Sequence, residues 1–240
     1  MNTLCLDFGN TRLKAAVFCD NVIAEVKVLD AHDTETLTAI VDTFRPEKSI
    51  LASVINHDEK MEQLLKAHTT CHVLRPDSKL NFRIAVSKRE TIGPDRLALA
   101  AAAVEHFPGK NNLIIGMGSC ITYNFINHQH EFLGGAIAPG MEMRFRAMHE
   151  FTAKLPLATP DHFAPLIGYD TKTNLQSGVI HGITNEIKGF ADAYSQKFGN
   201  FNAVLTGGDS PYFAGQLKSG IFADPYLLFK GLYALSQINN

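Results

Sequence analysis

No apolar stretch of the 240-residue chain approaches the roughly 20 residues that a membrane span requires, so membrane insertion is not expected. A basic cluster is also missing. Lys and Arg number 22 against 24 Asp and Glu, for a net charge of -2, and this near balance speaks against a nucleic-acid partner. The four cysteines, Cys5, Cys19, Cys71 and Cys120, form no CxxC pair and follow no secretory leader. They are expected as reduced thiols in a cytoplasm. His128 and His130 in NHQHEF have no Cys, His or acidic partners at ligand spacing, so they read as a hairpin tip rather than a metal site. Two motif fragments lack their context. DFG at residues 7–9 has no HRD-type segment before it. GMGSCI lacks the third glycine of GxGxxG, and a β-rich stretch follows it.

What remains is an ordinary globular composition, 45% apolar and 19% charged, without low-complexity tracts. A chain this long buries about 70–75% of its unfolded surface and folds without staples. The N-terminal region reads as strands at Leu4–Phe8, Leu13–Phe18 and Val22–Val28, then a helix at Asp33–Phe44 with Leu37, Ile40, Val41 and Phe44 at helical spacing. A strand at Ser49–Val54, a helix at Glu59–Ala67 and a strand at His72–Leu74 complete a mixed α/β half. The pattern restarts near residue 113. LIIGMGSCITYNFI repeats LCLDFGNTRLKAAVF, with Gly118 on Gly9 and Ser119 on Asn10. Two halves, 1–112 and 113–240, are therefore expected.

Gly9-Asn10 suits the positive φ of a tight hairpin, and on that reading Asp7 only caps the turn. Alternatively, the turn exposes backbone N–H groups beside Thr11, and Asp7 stands ready to hold a metal ion: a phosphate cradle. Gly93-Pro94 followed by Asp95, Arg96 and an alanine-rich run marks a helix start. Asp95 is either its cap or a carboxylate held ionised by the helix dipole and able to accept a proton. Gly134, Gly135, Pro139 and Gly140 precede another helical run whose N-terminus suits an anion. Thr206-Gly207-Gly208 forms a third small-residue turn after a strand.

In order, DFGNTRLK (7–14), GPDR (93–96), GSCITY (118–123), LGGAIAPGM (133–141), TGGD (206–209) and the late DPYLLFKGLYAL closely resemble type III pantothenate kinase over nearly the whole chain. The resemblance implies an α/β fold with two ribonuclease-H-like (actin-like ATPase) halves around a central nucleotide cleft. It implies ATP-dependent phosphorylation of pantothenate, the first step towards coenzyme A, by a cytoplasmic homodimer whose pantothenate pocket is completed at the subunit interface. Asp7, Gly9, Asn10, Thr11, Arg12, Leu13 and Lys14 would form the nucleotide phosphate loop, with Asp7 on Mg²⁺ or another divalent cation. Ser119 would stand where the family has an ATP-contacting Thr. Gly93, Pro94, Asp95 and Arg96 would bind pantothenate together with Thr171, and Asp95 would accept the hydroxyl proton. Two positions depart from the family. Gly116 replaces an Asp that binds a monovalent cation, which puts K⁺ or NH₄⁺ dependence in question. Val86 stands where a Tyr often lines the pocket. A kinase of another small alcohol or sugar, or a non-catalytic regulatory relative, are the alternatives.

Overall fold

The structure is a computed structural model, and it describes residues 1–30, 33–217 and 221–240. The chain forms two compact units. One comprises residues 1–109, 128–133 and 226–240, and the other residues 110–127 and 134–225. The units are thus not two contiguous halves parted at residue 112, because the C-terminal helix returns to the first unit.

In the first unit, β1 (Asn2–Phe8), β2 (Leu13–Cys19) and β3 (Val22–Leu29) form an antiparallel meander. Parallel β4 (Lys48–Ser53) and β5 (Thr70–Val73) extend it to give the order β3-β2-β1-β4-β5. The crossover helices are α1 (Thr34–Phe44) and α2 (Glu59–His68). Each starts at an aspartate whose side chain accepts a backbone N–H: Asp33 from Thr36 at 2.7 Å and Asp58 from Lys60 at 2.9 Å. β1 is buried on both faces, as a central strand must be, and Leu4, Leu6 and Phe8 meet Leu37, Ile40, Met61 and Leu65 in one core. A short β6 (Arg83–Ile84) pairs in parallel with Glu131 and Phe132.

Helix α3 (Pro94–His106) carries the alanine run, and α7 (Leu227–Asn239) packs on it and on β1 and β4. Alanines permit this close approach. A Cβ on Gly231 of α7 would stand 1.8 Å from the Ala98 carbonyl oxygen.

The second unit repeats the plan. β7 (Asn112–Met117), β8 (Cys120–Ile126) and β9 (Glu131–Pro139) are followed by α4 (Met141–Glu150) and the 28-residue α5 (Thr171–Phe198). Then come β10 (Asn202–Thr206), α6 (Ser210–Ala214) and β11 (Ile221–Ala223), and the strand order β11-β10-β7-β8-β9 matches that of the first unit. The internal repeat legible in the sequence is therefore a repeated topology. Gly116, next to last in β7 and paired with Thr122, takes the place of Asp7, next to last in β1 and paired with Lys14.

The turn chemistry differs from expectation. Gly9 and Asn10 do not adopt positive φ; the β1–β2 connection is a four-residue loop closed by a hydrogen bond from the Gly9 N–H to the Arg12 carbonyl, 3.2 Å. The tight positive-φ turn lies one connection later, at Asp20 (47°) and Asn21 (70°), where the right-handed twist of β2 and β3 favours it.

Candidate active site

The first unit gathers two carboxylates. Asp7 sits at the C-terminal end of β1, flanked by β2 and β4, so its backbone is fixed by ladders on both sides. Its carboxyl is half-buried and is pushed up from 3.8 to about 7, first by burial, then by the negative charge of Asp95, against the opposing pull of Lys14. Asp95 is also raised, by burial, while backbone N–H groups and the Arg96 guanidinium work to keep it ionised. The two half-buried carboxylates, with Lys14 beside Asp7 and Arg96 beside Asp95, form the charged centre of the site.

Asp95 is not the helix cap. The N-cap of α3 is Gly93, Pro94 takes the first helical position and Asp95 the second. Its carboxylate folds back towards the helix start, where a Cβ on Gly93 would lie 2.4 Å from Asp95 Oδ1. Glycine at 93 thus leaves the room that the acid occupies. Arg96 is held across Phe132, its guanidinium carbon 5.4 Å from the ring centroid.

The loop from residue 9 to 12 exposes Asn10, Thr11 and Arg12. Not every group expected to face a phosphate does so. The Gly9 N–H is turned inward to Arg12, and the Leu13 side chain is part of the core, which leaves only its backbone for a ligand. Lys14 is half-buried beside Asp7.

The end of β1 rests on a support that sequence reasoning missed. Ser53 pairs with Phe8 in the sheet, the Val54 N–H donates to the Phe8 carbonyl at 3.0 Å, and the His57 ring meets Phe8 edge-on at 5.2 Å. His57 in turn bridges Ser53 Oγ, 2.9 Å from Nδ1, and Glu62 Oε1, 3.0 Å from Nε2. These contacts fix the loop behind the strand that carries Asp7.

Ser119 and Thr171 belong to the second unit. Ser119 lies in the two-residue turn between β7 and β8, and its carbonyl accepts the Gly140 N–H at 3.0 Å. The glycines of LGGAIAPGM serve close packing of backbone on backbone. A Cβ on Gly135 (φ 151°) would stand 1.8 Å from the Tyr123 oxygen, and one on Gly140 would stand 2.1 Å from the Gly118 oxygen. Since Ser119 already engages the Gly140 N–H, that group is not available to an anion. In TGGD, Gly207 (φ 95°) lies against the Met117 carbonyl, and the Thr206 Oγ1 is buried with no hydrogen-bond partner among the described residues. Thr206 pairs across the sheet with Gly116.

Thr171 opens α5 and lines an apolar depression with Met148, Leu155 and Leu175. The Asp170 side chain before it accepts the Thr173 N–H at 2.7 Å in a capping box. Just upstream, Phe151, Phe163, Leu166, Ile167 and Tyr169 are all strongly exposed, Phe163 at 92%. A second group absent from the sequence reading joins Tyr123, Arg144 and Glu186, which lie too far apart in sequence to form a motif.

No group of three or more His, Cys, Asp or Glu among the described residues stands ready to cage a metal by itself. Asp7 still suits a divalent cation, because such an ion offsets the Asp95 repulsion that raises it and commonly takes one or two carboxylates, completing its shell with phosphate oxygens and water.

Comparison with known proteins shows the family. The family model for type III pantothenate kinase matches residues 3–193. The chain is 42% identical over 240 residues to a type III pantothenate kinase of Christiangramia forsetii, covering 98% of each chain. It is 38% identical to one of Bacteroides fragilis, covering 99% of this chain and 98% of the relative. Among solved structures, a Campylobacter jejuni protein assigned to a Baf family of transcriptional activators aligns at TM-score 0.64 and 21% identity over 98% of this chain and 97% of that one. A glucokinase from an Antarctic psychrotroph aligns at TM-score 0.53 and 12% identity, covering 98% of each chain, a likeness of fold alone. The fold is that of the sugar kinases and actin-like ATPases, and the chain belongs to the type III pantothenate kinase family.

Proposed function

We propose that this protein transfers the γ-phosphoryl group of ATP to the primary hydroxyl of pantothenate, the entry step of coenzyme A synthesis. Family membership supports the reaction, and one observation carries the assignment of roles: the half-buried pair of Asp7 and Asp95, in which one acid is raised partly by the other's charge. In phosphoryl transfer the protein mainly positions groups and neutralises charge.

In this reading Asp95 orients the pantothenate hydroxyl and takes its proton as the bond to phosphorus forms. Arg96, placed by Phe132, draws a negative group of the substrate towards it. Asn10, Thr11, Arg12 and Lys14 receive the nucleotide phosphates, Lys14 as a charge beside Asp7. Asp7 would hold a divalent cation, which when bound neutralises charge on the phosphates. With that charge matched, both acids stay ionised at neutral pH. Ser119 contacts ATP and Thr171 contacts pantothenate.

The exposed apolar side chains between Phe151 and Tyr169 support a homodimer, since a second copy would cover them and complete the acceptor pocket beside Thr171. Gly116 supplies no carboxylate opposite Thr206, which supports activity independent of K⁺ or NH₄⁺. Among the described residues no helix is long and apolar enough to cross a membrane, in keeping with work in the cytoplasm. A coupled ADP-release assay with Mg²⁺ and ATP tests the substrate. Turnover with pantothenate and none with glycerol or simple sugars is expected; a preference for a sugar would make the protein another kinase of the same fold.

A further inference from the structure

Three side chains from distant points of the sequence form one half-buried network in the second unit. Arg144 on α4 donates from Nη2 to Glu186 Oε2 at 2.6 Å and from Nε to the Pro139 carbonyl at 2.9 Å. The other carboxylate oxygen, Glu186 Oε1, accepts the Tyr123 hydroxyl at 2.9 Å. The Tyr123 ring is fully buried and stacks on Phe190 at 4.1 Å. Both oxygens of Glu186 are therefore engaged, Oε2 by the Arg144 guanidinium and Oε1 by the Tyr123 hydroxyl.

The network reaches the Gly118–Ser119 turn through Pro139-Gly140 on one side. Pro139 immediately precedes Gly140, which donates its N–H to the Ser119 carbonyl and lies so close to the turn that a Cβ would fall 2.1 Å from the Gly118 oxygen and 2.6 Å from the Ser119 oxygen. The Arg144 backbone N–H also donates to the Gly140 carbonyl at 3.0 Å, so the same residue holds Gly140 from both flanks. On the other side, Tyr123 lies four residues past Ser119 on β8 and is tied to the same Glu186. Replacing a buried salt bridge by apolar groups is often neutral for stability, whereas the bonds here join α4, α5 and β8 at defined atoms.

We propose that Arg144, oriented by Glu186 and Tyr123, is a positioning residue for nucleotide binding: it clamps Pro139-Gly140 against the β7–β8 turn and so sets where Ser119 meets ATP. The proposal rests on the reading of Ser119 as an ATP contact. Kinetics of Arg144→Lys, Tyr123→Phe and Ser119→Ala test the two separately. Lysine keeps the charge but cannot serve the Pro139 carbonyl and Glu186 together, so the KM for ATP should rise about tenfold while the KM for pantothenate stays within about twofold. Tyr123→Phe keeps the ring and removes one hydrogen bond, which should raise the KM for ATP about threefold. The Ser119→Ala, Arg144→Lys double variant should be no worse than the worse single variant by more than about twofold, because both act on one contact. If Ser119→Ala raises the KM for ATP while Arg144→Lys and Tyr123→Phe leave it unchanged, the clamp is wrong and the Ser119 contact stands. If none of the three moves it, both are wrong. If both KM values, kcat and melting temperature decline together, the network is merely structural and the proposal falls. Should Arg144→Lys fail to fold, Tyr123→Phe decides by the same criteria.

Discussion

Replacing Asp7 with asparagine should stabilise the metal-free protein above neutral pH and deprive it of the stabilisation that Mg²⁺ and ATP confer. Burial and the Asp95 charge lift Asp7 from 3.8 to about 7, so the folded state binds this proton more tightly than the unfolded chain does. The associated stability is fully present below the unfolded value of 3.8 and is lost as pH rises through about 7. At about 1.4 kcal/mol per tenfold change in acidity, the interval sets a ceiling of about 4 kcal/mol. Water reaching the half-buried carboxylate screens this to about 2 kcal/mol. At about 2–4 °C per kcal/mol for a chain of this size, Asp7→Asn should melt about 4–8 °C above the unmodified protein at pH 8.5, with the two converging near pH 4. The assay is thermal melting with chelator across that pH range, repeated with saturating Mg²⁺ and ATP. With ligand the order should reverse, because only the aspartate holds the ion. A melting difference that does not change with pH, or an equal gain from Mg²⁺ and ATP in both proteins, would show that Asp7 is neither a raised carboxyl nor the cation's ligand.

Other outcomes follow from single contacts. Gly93→Ala should cost little stability, since its Cβ meets only the mobile end of Asp95 at 2.4 Å, yet it displaces that carboxylate and should lower kcat at least about tenfold; unchanged kcat would show that the acid need not fold back there. Replacing Na⁺ with K⁺ should change turnover less than about twofold, as Gly116 offers no carboxylate; strong activation by K⁺ would mean that other groups bind the ion. Gly231→Ala should destabilise by about 1–3 kcal/mol, because its Cβ runs into the Ala98 backbone at 1.8 Å; a normal melting curve would contradict the close α3–α7 packing.

Much of the architecture was legible because its signals are local. The alternation of apolar residues predicts β1 to β3 and the crossover helices to within a few residues, and the repeat of Asp7-Phe8-Gly9 by Gly116-Met117-Gly118 foretells the repeated topology. Where several local solutions exist, the sequence misleads. Gly9-Asn10 looks like a two-residue hairpin, but the chain spends four residues there and places its positive-φ turn at Asp20-Asn21. Asp95 looks like the capping residue, yet Gly93 holds that position and Asp95 stands second in the helix, its carboxylate folded back to the helix start, from where its charge raises Asp7. Long-range pairings leave no local trace at all. The Tyr123–Glu186–Arg144 network and the return of α7 to the first unit each join residues far apart in the chain. The motifs DFGNTRLK and GPDR identify the acids, and only the fold shows that they act on one another.

Asp95, whose charge raises Asp7, takes the acceptor proton in the proposed reaction. Single-turnover transfer of labelled γ-phosphate from ATP to pantothenate by Asp95→Asn measures this most directly. The predicted result is a rate lower by about 100- to 10,000-fold, with pantothenate affinity and melting temperature held close to those of the unmodified protein. Transfer at a near-normal rate by the folded variant would contradict it.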